Sequence, residues 1–319
     1  MVEAGIVGAT GLVGATMIQV LQERSFPADR IRAFASGRHG DRTVTVGNST
    51  YPVEIINPAS IGQGTILLGA TSSDVARTWV PGCVEAGAVV VDNSSAYRME
   101  EGVPLVVPEV NPGAALEHRG IVSNPNCSTI QLVVALAPLY ALFPFEWVAV
   151  STYQAVSGAG GGSLGKLERE WREGPPFDGA EYSGRVLTEI GEPAGDRYCL
   201  EESKLIHETR KIMGVDFPVY PSCARVPVRT GHTESVTVRF QDTVEAAEAA
   251  RALESAPGVR LFESGVTPLT VEGEDFVAVS RIRNHPADRR VLQFWVTADN
   301  LRKGAALNAV QIAELLIRE

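Results

Sequence analysis

The sequence contains few cysteines, few aromatic residues and no excess of positive charge. Its 319 residues include four cysteines, 7% aromatic residues and 28 lysines and arginines against 38 acidic residues, which give a formal net charge of −10. An acidic chain lacks the basic surface that general binding to nucleic acid or to anionic membranes requires. If the substrate is an anion, a few arginines and lysines must therefore bind it locally.

The cysteines and histidines show no metal-binding pattern. None of the four cysteines forms a C-x-x-C pair, and the five histidines are widely spaced, so we expect neither a zinc site nor another bound metal. There is no disulfide framework, and the N-terminus lacks the basic and apolar stretches of a signal peptide. Residues 127–145 are uncharged, but Pro138 and Pro144 interrupt them, which indicates a buried helix rather than a membrane span. These features predict a reduced, cytoplasmic protein.

The N-terminal part of the chain alternates short apolar runs with helical patterns. The runs that predict strands are residues 4–7, 31–35, 65–68, 88–91 and 120–122, and the patterns that predict helices are residues 12–23 and 72–86. This alternation is typical of a doubly wound, Rossmann-like parallel sheet.

After residue 147 the pattern changes to longer, β-branched strands that lie far apart. They span residues 147–155, 234–240 and 290–298, helical patterns cover residues 244–255 and 305–318, and the glycine-dense residues 158–162 predict a loop. We therefore expect an α/β chain of two domains. The first comprises residues 1–126 with the C-terminal helix 302–319, and the second, residues 127–301, is an α+β catalytic and dimerisation domain with a mixed sheet.

Three glycines lie where the first predicted strand turns into the first predicted helix. Gly8, Gly11 and Gly14 give the spacing G-x-x-G-x-x-G in place of the commoner G-x-G-x-x-G. Glycines there let backbone N–H groups approach a pyrophosphate at the helix N-terminus. The spacing alone is weak evidence, because such glycines often serve a tight turn, but its position after the first strand favours dinucleotide binding.

The end of the second strand bears on the choice of cofactor. An NAD-specific site usually has an acidic residue there for the ribose 2′-hydroxyl, whereas this chain has Ser36 and Arg38, with Arg42 close behind. A guanidinium can hold a 2′-phosphate through paired hydrogen bonds. The sequence therefore favours NADP over NAD, against the alternative that Arg38 is a solvated loop charge.

Cys127 begins a long apolar segment, after a turn signal in SNPNCSTIQ (residues 123–131). A thiol at the start of a helix faces unpaired backbone N–H groups and the positive end of the helix dipole, and both stabilise a thiolate. The effect matters because a thiol with a pKa of about 8.5 is only about 3% thiolate at pH 7. A lone cysteine is otherwise more often a packing residue, which is the role we expect for Cys83, Cys199 and Cys223.

Other polar residues stand at informative positions in apolar surroundings. His232 precedes a long strand, Gln154 ends another before the glycine loop, and Arg225 lies in an apolar run. Residues 201–204, EESK, have helical spacing, and residues 92–98, DNSSAYR, follow an apolar strand, where ligands of such sheets bind. A covalent thiol mechanism needs a base such as His232. A lone histidine in such a position is, however, more often a structural residue, and the charges of residues 201–204 are also explained by an exposed ion pair.

In their order along the chain, these motifs resemble the aspartate-semialdehyde dehydrogenase family. The matching stretches are GATGLVG, NSSAYR, VPEVN, SNPNCSTIQ, TYQAVSGAG, EESK, RVPVRTGH and DNLRKGAALNAVQIAE. The resemblance implies NADPH-dependent reductive dephosphorylation of L-aspartyl-4-phosphate to L-aspartate 4-semialdehyde through a cysteine thioacyl intermediate. This reaction lies on the way to diaminopimelate, lysine, threonine and methionine.

The resemblance also implies a role for each matching residue. Cys127 would be the nucleophile, His232 the general acid–base and Gln154 the residue that orients the substrate. The substrate-binding residues would be Arg225 for the α-carboxylate, Glu201 for the ammonium group, and Arg98, Lys204 and Asn126 for the phosphate. NADP would contact Gly8, Thr10, Gly11, Leu12, Val13, Ser36, Arg38, Ser157, Gly158 and Asn300.

Two other functions stay open at this point. An N-acetyl-glutamyl-phosphate reductase would bind an N-acyl group in place of a free ammonium, and Glu201, whose carboxylate suits a free amine, argues against it. A non-catalytic, nucleotide-binding paralogue would need neither Cys127 nor His232. The expected partners are the small-molecule substrate and inorganic phosphate, with no nucleic acid and no membrane. The resemblance implies a homodimer or a tetramer, between which the sequence does not decide.

Overall fold

A computed structural model describes residues 2–35 and 42–317. The chain forms two compact units, one of Met1–Asn126 with Ala305–Glu319 and one of Cys127–Gly304. Residues 302–304 thus belong to the second unit, where the sequence analysis assigns them to the first.

The chain contains both strands and helices, which are numbered here in chain order. The strands are β1 (Glu3–Val7), β2 (Arg30–Ala35), β3 (Thr43–Val46), β4 (Ser49–Ile55), β5 (Ile66–Gly69), β6 (Val89–Asp92), β7 (Ile121–Ser123), β8 (Phe145–Gln154), β9 (Val219–Arg225), β10 (His232–Phe240), β11 (Val259–Phe262), β12 (Val277–His285) and β13 (Asp288–Ala298). The α-helices are α1 (Leu12–Glu23), α2 (Ser73–Glu85), α3 (Cys127–Tyr140), α4 (Gly161–Glu173), α5 (Leu200–Met213), α6 (Ala246–Glu254), α7 (Pro268–Val271) and α8 (Leu307–Leu316). Short 3₁₀ turns occur at Pro58–Ser60, Pro112–Glu117 and Val156–Ala159, and a π-helical turn at Arg302–Ala306.

The first unit is a doubly wound sheet of seven strands in the order β3-β4-β2-β1-β5-β6-β7. All neighbours are parallel except the β3–β4 hairpin. Alternate residues of its central strands enter two cores. Ile6 and Leu68 pack with α1 and α8 on one face, and Val7 and Leu67 pack with α2 on the other. Strands that are buried on both faces consist of nearly continuous apolar residues, and this pattern is why the sequence predicts them.

The second unit has a six-stranded mixed sheet in the order β11-β12-β13-β10-β8-β9. Strands β8 and β9 are parallel, as are β11 and β12, and the other neighbours are antiparallel. Helix α3 packs on the inner face of this sheet and against α5. Ten of its fourteen residues are buried, so this helix lies inside the unit, as its uncharged sequence predicts.

Most of the elements expected from the sequence are present, with ends within two residues of the expected positions. The prediction of a loop over residues 158–162 is wrong for its last two residues, because Gly161 and Gly162 lie in the first turn of α4. Gly160, with φ of +92°, precedes that helix, so only the first three residues of the glycine run lie outside it. In the described residues, no helix is both long enough and apolar enough to cross a membrane.

Candidate active site

The candidate site in the second unit lies at one edge of the mixed sheet. The parallel strands β8 and β9 end side by side at Gln154 and Arg225, which are partners in the register. Strand β10 is antiparallel to β8 and begins at His232. Three residues that lie far apart in sequence therefore come to the same end of the sheet.

Cys127 is the first residue of α3 and is partly exposed, whereas Cys83, Cys199 and Cys223 are buried. Burial raises the pKa of Cys83 to about 11, and burial also raises the pKa of Cys223. Those two thiols are therefore held in the neutral form. Cys127 alone combines access with a helix N-terminus, the setting in which a thiolate is stabilised.

The backbone of the π-helical turn lies directly against Cys127. A Cβ atom placed on Gly304 would stand 2.9 Å from the Cβ and 3.4 Å from the Cα of Cys127. Only a glycine permits this approach without displacing one of the two residues. π-helical turns are uncommon and are frequently found at functional sites.

His232 is completely buried, and its protonation is fixed by its surroundings. The backbone N–H of Ala155 donates a 3.0 Å hydrogen bond to Nδ1 of the ring, so the ring proton of the neutral imidazole lies on Nε2. Burial, with a smaller effect of the Arg225 charge, lowers the pKa of His232 to about 3. Nε2 is buried and has no hydrogen-bond partner among the described residues. A buried ring N–H group without a partner is uncommon, so this atom is a candidate donor to a bound ligand.

A chain of hydrogen bonds connects Gln154 with Glu201 and Lys204. The Nε2 of Gln154 donates to Glu201 at 3.0 Å, and Nζ of Lys204 donates to the other carboxylate oxygen, also at 3.0 Å. Gln154 also donates to the hydroxyl of Ser128, the residue after Cys127. Both charged residues lie on α5, in the segment EESK, so its charge pattern does mark a helix. The Glu201–Lys204 pair is not an exposed ion pair, because Glu201 is buried.

Arg225 is buried and is held by the loop that follows β8. Its Nη1 donates to the carbonyl oxygen of Ala155 at 2.8 Å. A Cβ atom on Gly158 would come within 2.8 Å of that Nη1 and within 3.2 Å of Nε2 of His232. The glycine therefore lets the 3₁₀ turn cover both side chains closely.

Ser157 and Asn300, both expected to contact the cofactor, are joined to each other. The Nδ2 of Asn300 donates to the Ser157 hydroxyl at 3.0 Å, and its Oδ1 accepts from the backbone N–H of Gly231 at 2.8 Å. Asn300 thus links the turn after β8 to the residue that precedes His232.

The turn between β1 and α1 in the first unit has the close backbone contacts that a dinucleotide site needs. Gly8 has φ of +93°, and a Cβ atom on it would lie 2.5 Å from the carbonyl oxygen of Ala70. A Cβ atom on Gly14 would lie 2.2 Å from the carbonyl oxygen of Gly8. Gly11 precedes helix α1 and supplies no side-chain cap. The first backbone N–H groups of α1 are therefore suited to bind an anion. Thr10 is exposed, and Leu12 and Val13 are partly exposed, whereas Ser36 and Arg38 lie outside the described residues.

Arg98 and Asn126 both lie in the first unit and are both buried. The guanidinium of Arg98 donates to the carbonyl oxygens of Asn124 at 2.9 Å and Asn93 at 2.7 Å. Asn124 in turn donates to Asn93 and accepts from Asn308 of α8, both at 2.7 Å. This buried amide network holds the loop after β6 and the segment that leads into Asn126.

Several residues of the second-unit site were not expected from the sequence. They are Ser128, which accepts from Gln154; Gln131, which donates to the carbonyl of His232 at 3.4 Å; Glu234; and Gly304. The strand pattern offers a signal for Glu234, since it alternates with buried valines at an inward position. Within the described ranges, no group of three or more His, Cys, Asp or Glu residues could hold a metal ion.

A doubly wound sheet with a glycine-rich first turn, combined with a second unit that has a mixed sheet, is the architecture of a nicotinamide-dependent oxidoreductase. The family model described as "Semialdehyde dehydrogenase, NAD binding domain" matches residues 3–118, and the model described as "Semialdehyde dehydrogenase, dimerisation domain" matches residues 136–303. The chain belongs to the aspartate-semialdehyde dehydrogenase family, and the resemblance inferred from the motifs is confirmed.

Individual relatives are similar to this chain over nearly their whole length. The aspartate-semialdehyde dehydrogenase of Aquifex aeolicus is 42% identical, over 98% of this chain and 97% of that protein. The crystal structure of aspartate semialdehyde dehydrogenase II from Vibrio cholerae, complexed with ASA, has a TM-score of 0.93 at 38% identity and covers 99% of this chain and 98% of that one. The structure of the Candida albicans enzyme with NADP has a TM-score of 0.76 at 26% identity, over 98% of each chain.

Proposed function

We propose that the protein reduces L-aspartyl-4-phosphate to L-aspartate 4-semialdehyde with NADPH, and that the acyl group passes through a thioester on Cys127. The observation that supports this proposal is the half-exposed thiol at the start of α3, in the same unit as a buried imidazole whose Nε2 is unsatisfied. The product would serve the biosynthesis of diaminopimelate, lysine, threonine and methionine.

The thiolate of Cys127 is proposed to attack the carbonyl carbon of the acyl phosphate. The tetrahedral intermediate expels phosphate and leaves a thioester, which accepts a hydride far more readily than a carboxylate does. A bound nicotinamide dinucleotide would supply that hydride. The covalent step therefore divides one difficult reduction into two easier ones.

His232 is proposed to act through its Nε2 proton. Each tetrahedral intermediate carries negative charge on the former carbonyl oxygen, and a buried N–H donor stabilises that charge strongly. The Nε2–H group keeps its proton and donates a hydrogen bond to that oxygen while each intermediate forms and collapses. The Ala155 hydrogen bond keeps the ring in the tautomer that this role requires.

The substrate groups have matching partners in the second unit. We propose that Glu201 binds the ammonium group, Arg225 the α-carboxylate and Lys204 the phosphate, while Gln154 orients the acyl carbonyl. Arg225 and Glu201 are both buried, so their charges are poorly screened and suit a small zwitterion. The resemblance gives Arg98 and Asn126 of the first unit a part in phosphate binding.

The β1–α1 turn suits a pyrophosphate, because Gly11 places no side chain over the first N–H groups of α1. We propose NADP as the cofactor, held by Gly8 and residues 10–13 and also by Ser157, Gly158 and Asn300. The preference over NAD rests on Ser36 and Arg38. An Arg38→Ala variant should lose affinity for NADP while its affinity for NAD is unchanged.

We propose that the protein is a homodimer or a tetramer built on the outer face of the mixed sheet. Side chains on that face are partly exposed and include the aromatic rings of Trp147, Tyr153, Tyr220 and Trp295. The Tyr153 and Trp295 rings stack at 5.9 Å between their centroids. Exposed aromatic surface of this kind is typical of subunit interfaces.

The test compares the two candidate substrates in the oxidative direction. Aspartate semialdehyde and N-acetylglutamate semialdehyde are each supplied with inorganic phosphate and with NADP or NAD, and reduced nucleotide is followed by absorbance. The proposal predicts phosphate-dependent turnover with aspartate semialdehyde and NADP. Preference for the acetylated substrate would support the related reductase instead, and no turnover with either would support a non-catalytic paralogue.

A further inference from the structure

Glu234 is a fully buried carboxyl group that the proposed reaction does not use. It lies on β10, two residues after His232, and its side chain points to the same inner face of the sheet. Neither of its carboxylate oxygens has a hydrogen-bond partner among the described residues. An ionised carboxylate without partners in such a place is very costly, because its charge loses the solvation of water.

Among the residues that the structure describes, none contributes an opposite charge that stabilises an ionised Glu234. Its partners in the register are Thr152 on β8 and Val296 on β13. The titratable groups on the same face are His232 on β10 and Cys223 and Arg225 on β9, and Cys127 begins α3. Burial raises the pKa of Glu234 well above its ordinary value. The side chain of Gln131 lies within hydrogen-bonding reach of the carboxyl group and opposes this shift, but it carries no charge.

Gln131 connects this carboxyl group to the nucleophile. It lies one helical turn after Cys127 on α3, on the same side of the helix. Its Nε2 donates to the backbone carbonyl of His232 at 3.4 Å, while its Oε1 is buried and has no partner among the described residues. A proton on Glu234 would satisfy that oxygen, so one proton matches two of the three unmatched acceptors, the protonated Glu234 oxygen and Oε1 of Gln131.

We propose that Glu234 is a neutral carboxylic acid that donates a hydrogen bond to Oε1 of Gln131, and that this pair positions the His232 strand against the Cys127 helix. The proton stays on Glu234 throughout, so no charge and no chemical step is assigned to it. Glu234 and Gln131 are positioning residues, because neither is placed against the reacting atoms. The catalytic meaning of the pair rests on the proposed function, but its protonation state does not.

The first experiment is independent of turnover. Infrared spectra of the wild-type protein and of Glu234→Gln, recorded at pH 7.0, are subtracted. The proposal predicts a carbonyl stretching band of a protonated carboxylic acid in the wild type that is lost in Glu234→Gln. A difference spectrum that instead shows the loss of carboxylate bands would overturn the proposal, whatever the activity of the protein.

The second experiment measures kcat, and the rate of Cys127 alkylation by iodoacetamide against pH, in three variants. Glu234→Gln keeps the shape and the neutral charge and should stay within about threefold of wild-type kcat, with an unchanged pH profile. Glu234→Leu and Gln131→Leu break the pair and should lower kcat by about 10–100-fold, the cost of an ångström-scale misplacement. Val236→Ala, a packing change at the next inward position of β10, is the control and should retain both the kcat and the pH profile.

Two outcomes would overturn the positioning role. If Glu234→Gln loses as much activity as Glu234→Leu and its pH profile shifts, the carboxylate acts in its charged form. If Glu234→Leu or Gln131→Leu keeps wild-type kcat, the pair does not position the site. The wild-type assay with aspartate semialdehyde tests the proposed function by itself, and the infrared result stands even if that assay fails.

Discussion

The backbone N–H of Ala155 donates to Nδ1 of His232 across 3.0 Å, from the residue that follows the strand end at Gln154. The same residue accepts from Arg225 through its carbonyl oxygen. One peptide segment therefore fixes both the tautomer of the imidazole and the direction of the guanidinium. Because Nδ1 accepts, the proton is on Nε2, and the ring acts as a donor from that atom.

Replacement of His232 should distinguish donation from other roles. His232→Ala removes the donor, and we expect kcat to fall by about 10²–10³-fold, as when one oxyanion donor is lost. His232→Gln supplies an amide N–H that can reach the Nε2 position and should retain at least about tenfold more activity than the alanine variant. Steady-state kinetics in the semialdehyde assay compare the two. Equal losses in both variants would show that the donor is not what matters.

The low pKa of His232 should make stability depend on pH. An unfolded histidine has a pKa near 6.5 and the folded one about 3, so between these values the unfolded chain binds more protons. The contribution of His232 is therefore complete above pH 6.5 and is lost as the pH falls toward 3, at up to about 1.4 kcal/mol per pH unit. Urea unfolding of the wild type and His232→Gln measures it. The free-energy difference between them should shrink as the pH falls from 7 to 4, and a constant difference would contradict the assignment.

Gly158→Ala should disturb the packing of the 3₁₀ turn against Arg225 and His232. The new Cβ atom would meet Nη1 of Arg225 at 2.8 Å and His232 at 3.2 Å, so one of them must move. We expect kcat/KM to fall by about 10–100-fold. Gly162→Ala is the matched control, because a Cβ atom there has nothing within 4 Å, and it should keep wild-type kinetics. Similar kinetics for the two variants would contradict the close packing over His232.

Gly304→Ala should act on the thiol itself. The added Cβ atom would lie 2.9 Å from the Cβ of Cys127, and overpacking of this kind typically costs about 1–3 kcal/mol. We expect iodoacetamide to alkylate Cys127 at a changed rate and kcat to fall. Gly165→Ala, whose nearest neighbour would be an Arg169 nitrogen at 3.6 Å, controls for the substitution. An unchanged alkylation rate in Gly304→Ala would show that the π-helical turn does not constrain the thiol.

The sequence predicts the parts of the site that depend on local signals. Cys127 starts a helix and Gln154 ends a strand, and both facts follow from the apolar pattern and the turn residues beside them. The strand alternation of β10 also places His232 and Glu234 on one face. The contact of Gly304 with Cys127 joins residues 177 positions apart, and no local pattern predicts such a contact. The loop prediction for residues 158–162 is wrong from Gly161 onward. Helix α4 begins at this residue, although glycine has a low helix propensity.

Cys127 is proposed to carry the acyl group during the reaction. The most direct measurement is mass spectrometry of the protein after incubation with aspartate semialdehyde and NADP in phosphate-free buffer, followed by acid quenching and peptide mapping. Without phosphate the thioester has no acceptor except water, so it should accumulate. We predict an aspartyl adduct on the peptide that contains Cys127, absent from Cys127→Ala, which should still bind NADP but show no turnover. An adduct on another residue, or turnover by Cys127→Ala, would show that Cys127 does not carry the acyl group.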